Sequence, residues 1–200
     1  MLKLRPLSCA LIAWAPIARA FFLCAALCLA PLGAAQAAPA AGPLPEPGAT
    51  LPTLSLKVPV YGQDAKALGV GGKMTFRLQD LKAKVIVLEV IGVYCGECAK
   101  QVGSFNTLYA RLARRIQAGE VQMFGLAAGG TDMEVDSLRK NGIYKYPLVA
   151  DERYQNHKLL REPKTPFTML VTPAGKVLYT HLGVDEDIDA ILARIKDALK

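Results

Sequence analysis

Two cysteines three residues apart, Cys95 and Cys98, are the residues of this chain best suited to chemistry. They follow the apolar run 85–91 and open a stretch with helical spacing, which predicts both thiols at a strand-to-helix junction. Free backbone N–H groups and the positive end of the helix dipole stabilise a thiolate there, and the thiolate is the nucleophile in disulfide exchange. The spacing also lets one thiol attack a mixed disulfide formed by the other. Cys95, nearer the helix tip, is expected to attack and Cys98 to resolve.

Other uses of a close cysteine pair fit this chain less well. A structural zinc site needs four ligands, and the only histidines, His157 and His181, show no ligand spacing. Covalent haem attachment needs a histidine at the position of Ala99. A purely structural disulfide stays open, although so short a loop contributes little stability. The sequence therefore predicts a redox pair that needs no metal or organic cofactor.

Length and charge exclude several classes of protein. The chain has 200 residues, enough for one ordinary domain and an export segment. Of 24 basic residues, three lie in the first forty positions, which leaves 21 against 17 acidic residues. This mild balance, without a basic run, gives no electrostatic case for binding nucleic acid.

The first 37 residues have the pattern of an export signal. A positive start, Lys3 and Arg5, precedes apolar runs, and the small-x-small sequence 35–37 is typical of a cleavage site. The alternative is a retained inner-membrane anchor that leaves the domain facing the periplasm. Arg19 interrupts the apolar stretch that such an anchor needs. Cleavage would remove the other three cysteines, which are Cys9, Cys24 and Cys28.

Three segments are predicted along the chain. Residues 1–37 form the signal peptide, and 38–50, rich in Ala, Pro and Gly, form a flexible tether. Residues 51–200 form the folded domain.

Periodicity within the domain predicts an α/β fold. The segment 62–72 has the composition of a glycine-rich loop, and Thr172-Pro173-Ala174-Gly175 is a hairpin turn. Asp151 is expected to cap the helix that follows it. Strands are predicted at 53–60, 73–77, 85–91, 121–127, 147–150, 167–171 and 176–181, and helices at 97–117, 133–141, 154–160 and 185–200. These elements predict a central mixed β-sheet with helices on both faces.

With these motifs the chain resembles the thioredoxin superfamily, and within it the exported TlpA-like branch of redoxins. The resemblance spans 51–200 and depends on four features: the sequence VIVLEVIGVYCGECAKQ, a Lys-Thr-Pro triplet before a strand, the hairpin TPAGKV and a closing helix. It implies a thioredoxin-like fold and a thiol–disulfide oxidoreductase.

The resemblance also implies roles for further residues. Glu89, six positions before the first cysteine, corresponds to a buried acid that relays a proton for Cys98; an incidental strand carboxylate is the alternative. Pro166 corresponds to a cis-proline that faces the cysteines and shapes the substrate groove. Thr165 would offer its backbone to an extended substrate, and Tyr94 stands where the family usually has a substrate-contacting Trp.

Some positions depart from the family pattern. Gly96 and Glu97 replace a dipeptide that usually contains proline, and so tune the redox pair. The charge of Glu97 opposes thiolate formation and favours a weaker oxidant, although Lys100 could offset it. Gln101 stands where many TlpA-like reductases carry Glu. The direction of the reaction is left open by these differences.

Three functions are thus in view. The first is a periplasmic reductase of protein disulfides, supplied with electrons by a membrane-borne thiol donor. The second is a peroxiredoxin-like peroxidase, although such enzymes need Thr three residues before the reactive cysteine, where Gly92 stands here. The third is a module that binds copper through the two thiols, without the Met or His ligands that usually assist.

Overall fold

The central strand β3, Val85–Ile91, is buried along its whole length. Its nearly continuous run of Val, Ile and Leu is typical of a strand that is covered on both faces. The computed structural model describes residues 42–200, so the predicted signal peptide and its cysteines lie outside the described residues. Among residues 42–200, no helix is both long enough and apolar enough to span a membrane.

Seven strands, five α-helices and one short 3₁₀ helix (Leu78–Asp80) are found in this described part of the chain. The strands are β1 (Leu56–Lys57), β2 (Thr75–Phe76), β3 (Val85–Ile91), β4 (Val121–Ala128), β5 (Leu148–Asp151), β6 (Phe167–Val171) and β7 (Val177–Leu182). The helices are α1 (Gly62–Leu68), α2 (Gly96–Gln117), α3 (Asp132–Lys140), α4 (Gln155–Leu159) and α5 (Ile188–Ala198).

Five of the strands form one mixed sheet of order β5-β4-β3-β6-β7. Strands β3, β4 and β5 run parallel to one another, whereas β6 is antiparallel to both of its neighbours, β3 and β7. Strands β1 and β2 form a separate antiparallel pair. The predicted mixed sheet, parallel in the middle with an antiparallel hairpin at one edge, is confirmed.

Alternate residues of β3 supply two hydrophobic layers. Ile86, Leu88 and Val90 pack into a cluster with α1 and with β1 and β2. Val87 and Ile91 pack into the opposite cluster, with α2 and α5. Helices therefore cover both faces of the sheet, as predicted, and the side chain of Glu89 falls on the α2 side.

The prediction of a loop over 62–72 is wrong for its first part, which forms α1. Asp64 in the first turn is fully buried, and its carboxylate accepts hydrogen bonds from the Arg139 guanidinium at 2.6–2.9 Å and from the Leu148 N–H at 3.0 Å. Gly69, with φ of 69°, ends the helix in the left-handed conformation. This helix depends on a partner 75 residues away, which local composition does not reveal.

The predicted strands at 53–60 and 73–77 shorten to two residues each, because only Leu56–Lys57 and Thr75–Phe76 pair with each other. The helix predicted at 154–160 is also trimmed at both ends. The Asp151 carboxylate accepts the N–H groups of Asn156 and His157, at 3.1 and 2.8 Å, and so caps the first turn as predicted.

Residues that precede Leu51, the predicted start of the domain, already contact it. Gly48 N–H donates to the Val177 carbonyl, and the Val177 N–H donates to Ala49, both at 2.9 Å. Leu44 packs against the core. The C-terminal part of the predicted tether 38–50 is thus held against the edge of β7, because its backbone groups find partners there.

The buried ion pair between Asp64 and Arg139 gives a test of this fold. We expect Arg139→Met to lower the free energy of unfolding by about 3–5 kcal/mol, because it leaves a buried carboxylate without its cation. Arg111→Met is the matched control: its pair with Asp189 is exposed and should contribute less than about 1 kcal/mol. Urea unfolding of both variants measures the difference, and equal losses would contradict a structural role for the buried pair.

Candidate active site

Cys95 is the N-cap residue of α2, directly after the short link that follows β3. Its sulfur accepts the backbone N–H of Cys98 at 3.1 Å, so it lies at the free N–H groups of the helix start. The two sulfurs are bonded to each other, with their Cα atoms 5.2 Å apart. Cys95 is partly exposed, whereas Cys98 is 1% exposed and packs in the α2-side core. Of the two sulfurs, therefore, only that of Cys95 can react with a molecule that approaches from solvent.

The Thr165–Pro166 peptide lies beside this sulfur and is cis. The Thr165 carbonyl oxygen is 3.4 Å from the Cys95 sulfur. The two residues are brought together because β6, which begins at Phe167, pairs directly with β3. The sheet thus joins segments that are 70 residues apart in sequence.

Gly92 leaves room for this arrangement. A Cβ atom at this position would lie 3.2 Å from the Cys95 Cβ and 3.4 Å from the Thr165 hydroxyl oxygen. The first distance is tighter than ordinary packing, and the second is at its lower limit. A residue larger than glycine would push the sulfur and the cis peptide apart.

Tyr94 is 88% exposed, and its hydroxyl donates to the Glu134 carboxylate at 2.6 Å. This bond and those from Thr131 lower the pKa of Glu134 to about 2, and the same contact raises the pKa of Tyr94. The ring of Tyr94 is therefore tethered to the start of α3 while its faces remain open to solvent.

An open cleft of about 380 Å³ lies next to Cys95. Its lining is made by Gly92, Val93, Tyr94, Cys95, Ala128, Gly129 and Tyr154. Tyr154 is 46% exposed and has a left-handed backbone, with φ of 56°. Its hydroxyl occupies the space that a side chain on Gly129 would need, so the glycine and the tyrosine depend on each other.

Gly96 and Glu97 lie on the exposed first turn of α2. The Glu97 carboxylate pairs with the Lys100 ammonium at 2.7 Å, and both side chains are exposed. Lys100 therefore partly offsets the negative charge that Glu97 brings near the sulfurs.

Glu89 is fully buried on the α2 side of the sheet. Gln101 donates to one carboxyl oxygen at 2.7 Å, and the Tyr146 hydroxyl donates to the other. Burial raises the pKa of Glu89 to about 7, and the two hydrogen bonds oppose that rise. A carboxyl that titrates near neutral pH is suited to taking and releasing protons.

Comparison with known proteins agrees with this geometry. No protein-family model matches the chain. The thiol–disulfide oxidoreductase ResA of Bacillus thuringiensis subsp. konkukian is 27% identical over 120 residues, which cover 59% of this chain and 67% of that protein. The chain is similar to the redoxin branch of the thioredoxin superfamily and has a thioredoxin-like fold. It is a thiol–disulfide oxidoreductase.

Solved structures show the same fold at lower identity. The thioredoxin domain of a Bacteroides vulgatus thiol–disulfide oxidoreductase superposes with a TM-score of 0.57 and 16% identity, over 76% of this chain and 99% of that one. The bacterioferritin comigratory protein of Xanthomonas campestris, described as reducing alkyl peroxides, gives a TM-score of 0.55 and 20% identity, over 78% of this chain and 98% of that one. Sequence identities this low support a shared fold and nothing about function.

In this oxidoreductase, the residues predicted from the sequence, Cys95, Cys98, Thr165 and Pro166, lie in one place, with Tyr94 at the rim. Glu89 lies beneath them, bonded to the residue one turn beyond Cys98 on α2. Its direct contact with Cys98 stays a prediction.

Two residues of this site were not predicted from the sequence, and a third was predicted without its contacts. Tyr146 and Tyr154 lie in or beside loops, where no spacing signals their tertiary contacts. Gln101 was noted only as a departure from the family pattern. Thr168 is a fourth polar neighbour: it pairs with Glu89 in the sheet, and its buried hydroxyl has no hydrogen-bond partner in the described part of the chain.

Metal chemistry has little to build on in residues 42–200, where no cluster of three or more His, Cys, Asp or Glu side chains could hold an ion. His157 and His181 are each bonded to a backbone carbonyl, of Pro163 and Val184, at 2.9 and 3.1 Å.

The buried carboxyl makes stability depend on pH in this oxidoreductase. The pKa of Glu89 is about 7 in the folded protein, and its ordinary value is 4.5. The protonated carboxyl therefore contributes to the free energy of unfolding. This contribution is fully present below pH 4.5 and is lost as the pH rises through 7. We expect Glu89→Gln to gain about 3 kcal/mol relative to the native protein between pH 4.5 and pH 8. Urea unfolding of the oxidised proteins at the two pH values measures this, and a pH-independent difference would contradict the raised pKa.

Gly92 gives a second test. We expect Gly92→Ala to slow disulfide exchange at Cys95 roughly tenfold, because an added methyl crowds the sulfur and a 1.4 kcal/mol misfit is a factor of ten in rate. Gly103→Ala on α2 is the control, since a Cβ there meets nothing within 4 Å. The rate of reaction of the reduced protein with a small disulfide measures the effect. An unchanged rate in Gly92→Ala would contradict a role for Gly92 in giving access to the Cys95 sulfur.

Proposed function

We propose that this oxidoreductase reduces disulfide bonds of proteins in the periplasm through the Cys95–Cys98 dithiol. The observation that carries the proposal is the contrast between the two sulfurs: Cys95 is partly exposed, 3.4 Å from the Thr165 carbonyl, and Cys98 is buried. A protein disulfide can reach the first sulfur only, which assigns attack to Cys95 and resolution to Cys98.

The reaction transfers two electrons from the dithiol to the substrate. The Cys95 thiolate attacks one substrate sulfur; the substrate S–S bond breaks, a mixed disulfide forms, and the departing thiolate takes up a proton. Cys98 then gives its proton to the Glu89 carboxylate and attacks the Cys95 sulfur. The mixed disulfide breaks, the second substrate thiolate leaves and is protonated, and the Cys95–Cys98 disulfide remains.

Two features support a substrate site for an extended chain. The cis peptide at Thr165–Pro166 precedes β6 and leaves its backbone beside the sulfur, where a substrate strand can bond to main-chain groups. Tyr94 offers an exposed aromatic face at the same rim. Thr165, Pro166 and Tyr94 are therefore assigned to substrate binding.

The groups that surround the sulfurs support the proposed direction, which is reduction of the substrate. Gly96 allows close approach at the tip, and the negative charge of Glu97 disfavours the thiolate of Cys95. A less stable thiolate form makes a weaker oxidant and a better reductant, although the Lys100 partner reduces this effect.

The cellular setting is inferred from the N-terminal sequence. Residues 1–37 have the pattern of an export signal, which leads the domain to the periplasm, or tethers it there if the segment is retained. The oxidised dithiol must then be reduced again by a dithiol donor in the membrane, since two electrons are spent in each cycle. Residues 38–50 link the signal to the domain.

The likeness to a peroxide-reducing protein concerns the fold alone. Here Gly92 stands three residues before Cys95, where the peroxidases have Thr, and a Cβ at this position is already crowded. No observation favours the peroxidase over the reductase.

Two cysteine variants test the proposal. Cys95→Ser is expected to abolish reduction of insulin disulfides by dithiothreitol beyond the uncatalysed rate, because the attacking thiol is lost. Cys98→Ser should retain attack but not resolution, and so accumulate a covalent complex with the substrate. Non-reducing electrophoresis detects this complex, and excess dithiothreitol should cleave it by reducing the mixed disulfide. Full activity in Cys95→Ser would refute the assignment, and a complex formed by Cys95→Ser instead would reverse the two roles.

A further inference from the structure

Two donors hold the Glu89 carboxyl, one on each oxygen. Gln101 Nε2 donates to Oε1 at 2.7 Å, and the Tyr146 hydroxyl donates to Oε2. Tyr146 and Gln101 are both fully buried, so water does not compete for these bonds. The two donors nevertheless differ in what they can do when Glu89 gains a proton.

The amide of Gln101 cannot reverse its orientation. Its own oxygen accepts the backbone N–H of Asp185 at 2.5 Å, and the Asp185 carboxylate is held by the Tyr179 hydroxyl at 2.9 Å. A flipped amide would turn its NH₂ group toward the Asp185 N–H and its oxygen toward Glu89. Gln101 is therefore a donor to Oε1 in either protonation state of the carboxyl.

A hydroxyl group has no such restriction, because it both donates and accepts. When Glu89 is ionised, Tyr146 donates to Oε2. When Glu89 is protonated on Oε1, the proton faces the N–H of Gln101, which cannot accept it. When Glu89 is protonated on Oε2, the Tyr146 hydroxyl can rotate its own hydrogen away, and its oxygen then accepts the carboxyl proton. Protonation at Oε2 thus keeps both hydrogen bonds.

We propose that Tyr146 is a positioning residue of the redox site, whose hydroxyl donates to ionised Glu89 and accepts from protonated Glu89, so that the carboxyl takes and releases its proton at Oε2. The inference deepens the proposed function and rests on the role given there to Glu89. It adds a residue 57 positions away in sequence to the groups that govern the resolving step.

The surrounding groups leave Glu89 as the group that titrates near neutral pH. The titratable or charged groups on the elements around it are Cys98, Tyr109, Arg139, Tyr144, Tyr146 and Asp185. Burial raises the pKa of Tyr109, Tyr144 and Tyr146, so all three stay neutral. Cys98 is in the disulfide, and Arg139 is paired with Asp64.

The experiment measures the ionisation of Glu89 directly, in the oxidised protein. The protein is labelled with ¹³C at the glutamate side-chain carboxyls, its NMR spectrum is followed against pH, and Glu89→Gln identifies the resonance. Tyr146→Phe is expected to lower the acid dissociation constant of Glu89 about tenfold, because the hydrogen bond lost by the ionised carboxylate is stronger than the one lost by the protonated carboxyl.

Tyr144→Phe is the matched control. Tyr144 is a buried neighbour whose ring packs edge-on against Tyr146 at 5.5 Å, and its hydroxyl does not bond to Glu89. It should leave the dissociation constant unchanged within about twofold. An unchanged constant in Tyr146→Phe, or an equal change in Tyr144→Phe, would overturn the inference.

Gln101→Met keeps the inference testable if Tyr146→Phe does not fold. It removes the donor on Oε1, and it too should lower the dissociation constant of Glu89; no change would mean that the two donors do not hold the carboxyl as described.

Kinetics separate this inference from the proposed function. The rate at which Cys98 resolves a mixed disulfide should rise with pH as Glu89 ionises, and in Tyr146→Phe that rise should move to higher pH by the same factor as the constant measured by NMR. If the NMR constant moves and the kinetic profile does not, Tyr146 still positions the carboxyl, and Glu89 is not the base of the resolving step.

Discussion

The constraint on which the site depends is the burial of one carboxyl, that of Glu89, in the central strand of the sheet. A buried carboxyl is costly unless it is neutral or well bonded. Here each oxygen of the carboxyl accepts a hydrogen bond, and burial raises the pKa of the group to about 7. To supply those donors, α2 must present Gln101 at the right turn, the chain before β5 must bring Tyr146 under the sheet, and the loop before α5 must hold Gln101 in place through Asp185.

The same helix that satisfies the carboxyl also exposes the reactive sulfur. Because α2 begins at the end of β3, its first turn projects Cys95 past the sheet, while Cys98, one turn further in, points back into the core. The antiparallel pairing of β6 with β3 then delivers the Thr165–Pro166 peptide to the same edge. In the proposed reaction, the attacking sulfur therefore lies at the surface of this strand–helix junction, and the resolving sulfur and the carboxyl lie buried behind it.

Sequence reasoning succeeded where structure is determined by short-range pattern and failed where it is determined by distant partners. The apolar run 85–91 and the helical spacing after it predicted β3 and α2 nearly to the residue. The helix α1 was missed because Asp64 is held by Arg139, which lies on α3. Tyr146 was missed for the same reason: nothing near it in sequence indicates a carboxyl on β3. Gln101 was noticed, but its partners could not be deduced from composition.

The departure at Gln101 has a physical consequence for proton transfer. A glutamate there, as the resemblance to TlpA-like reductases leads one to expect, would bring a second carboxyl into hydrogen-bond range of Glu89. Two carboxyls so close cannot both ionise, and the pair would share one proton over two coupled titrations. An amide keeps the hydrogen bond and removes the second titration, so Glu89 changes charge alone. Its partner Tyr146 adapts to either state, whereas Gln101 is held by Asp185 in one orientation. With glutamine at position 101 the proton is not shared between two carboxyls, and in our proposal Oε2 of Glu89 is the atom that carries it.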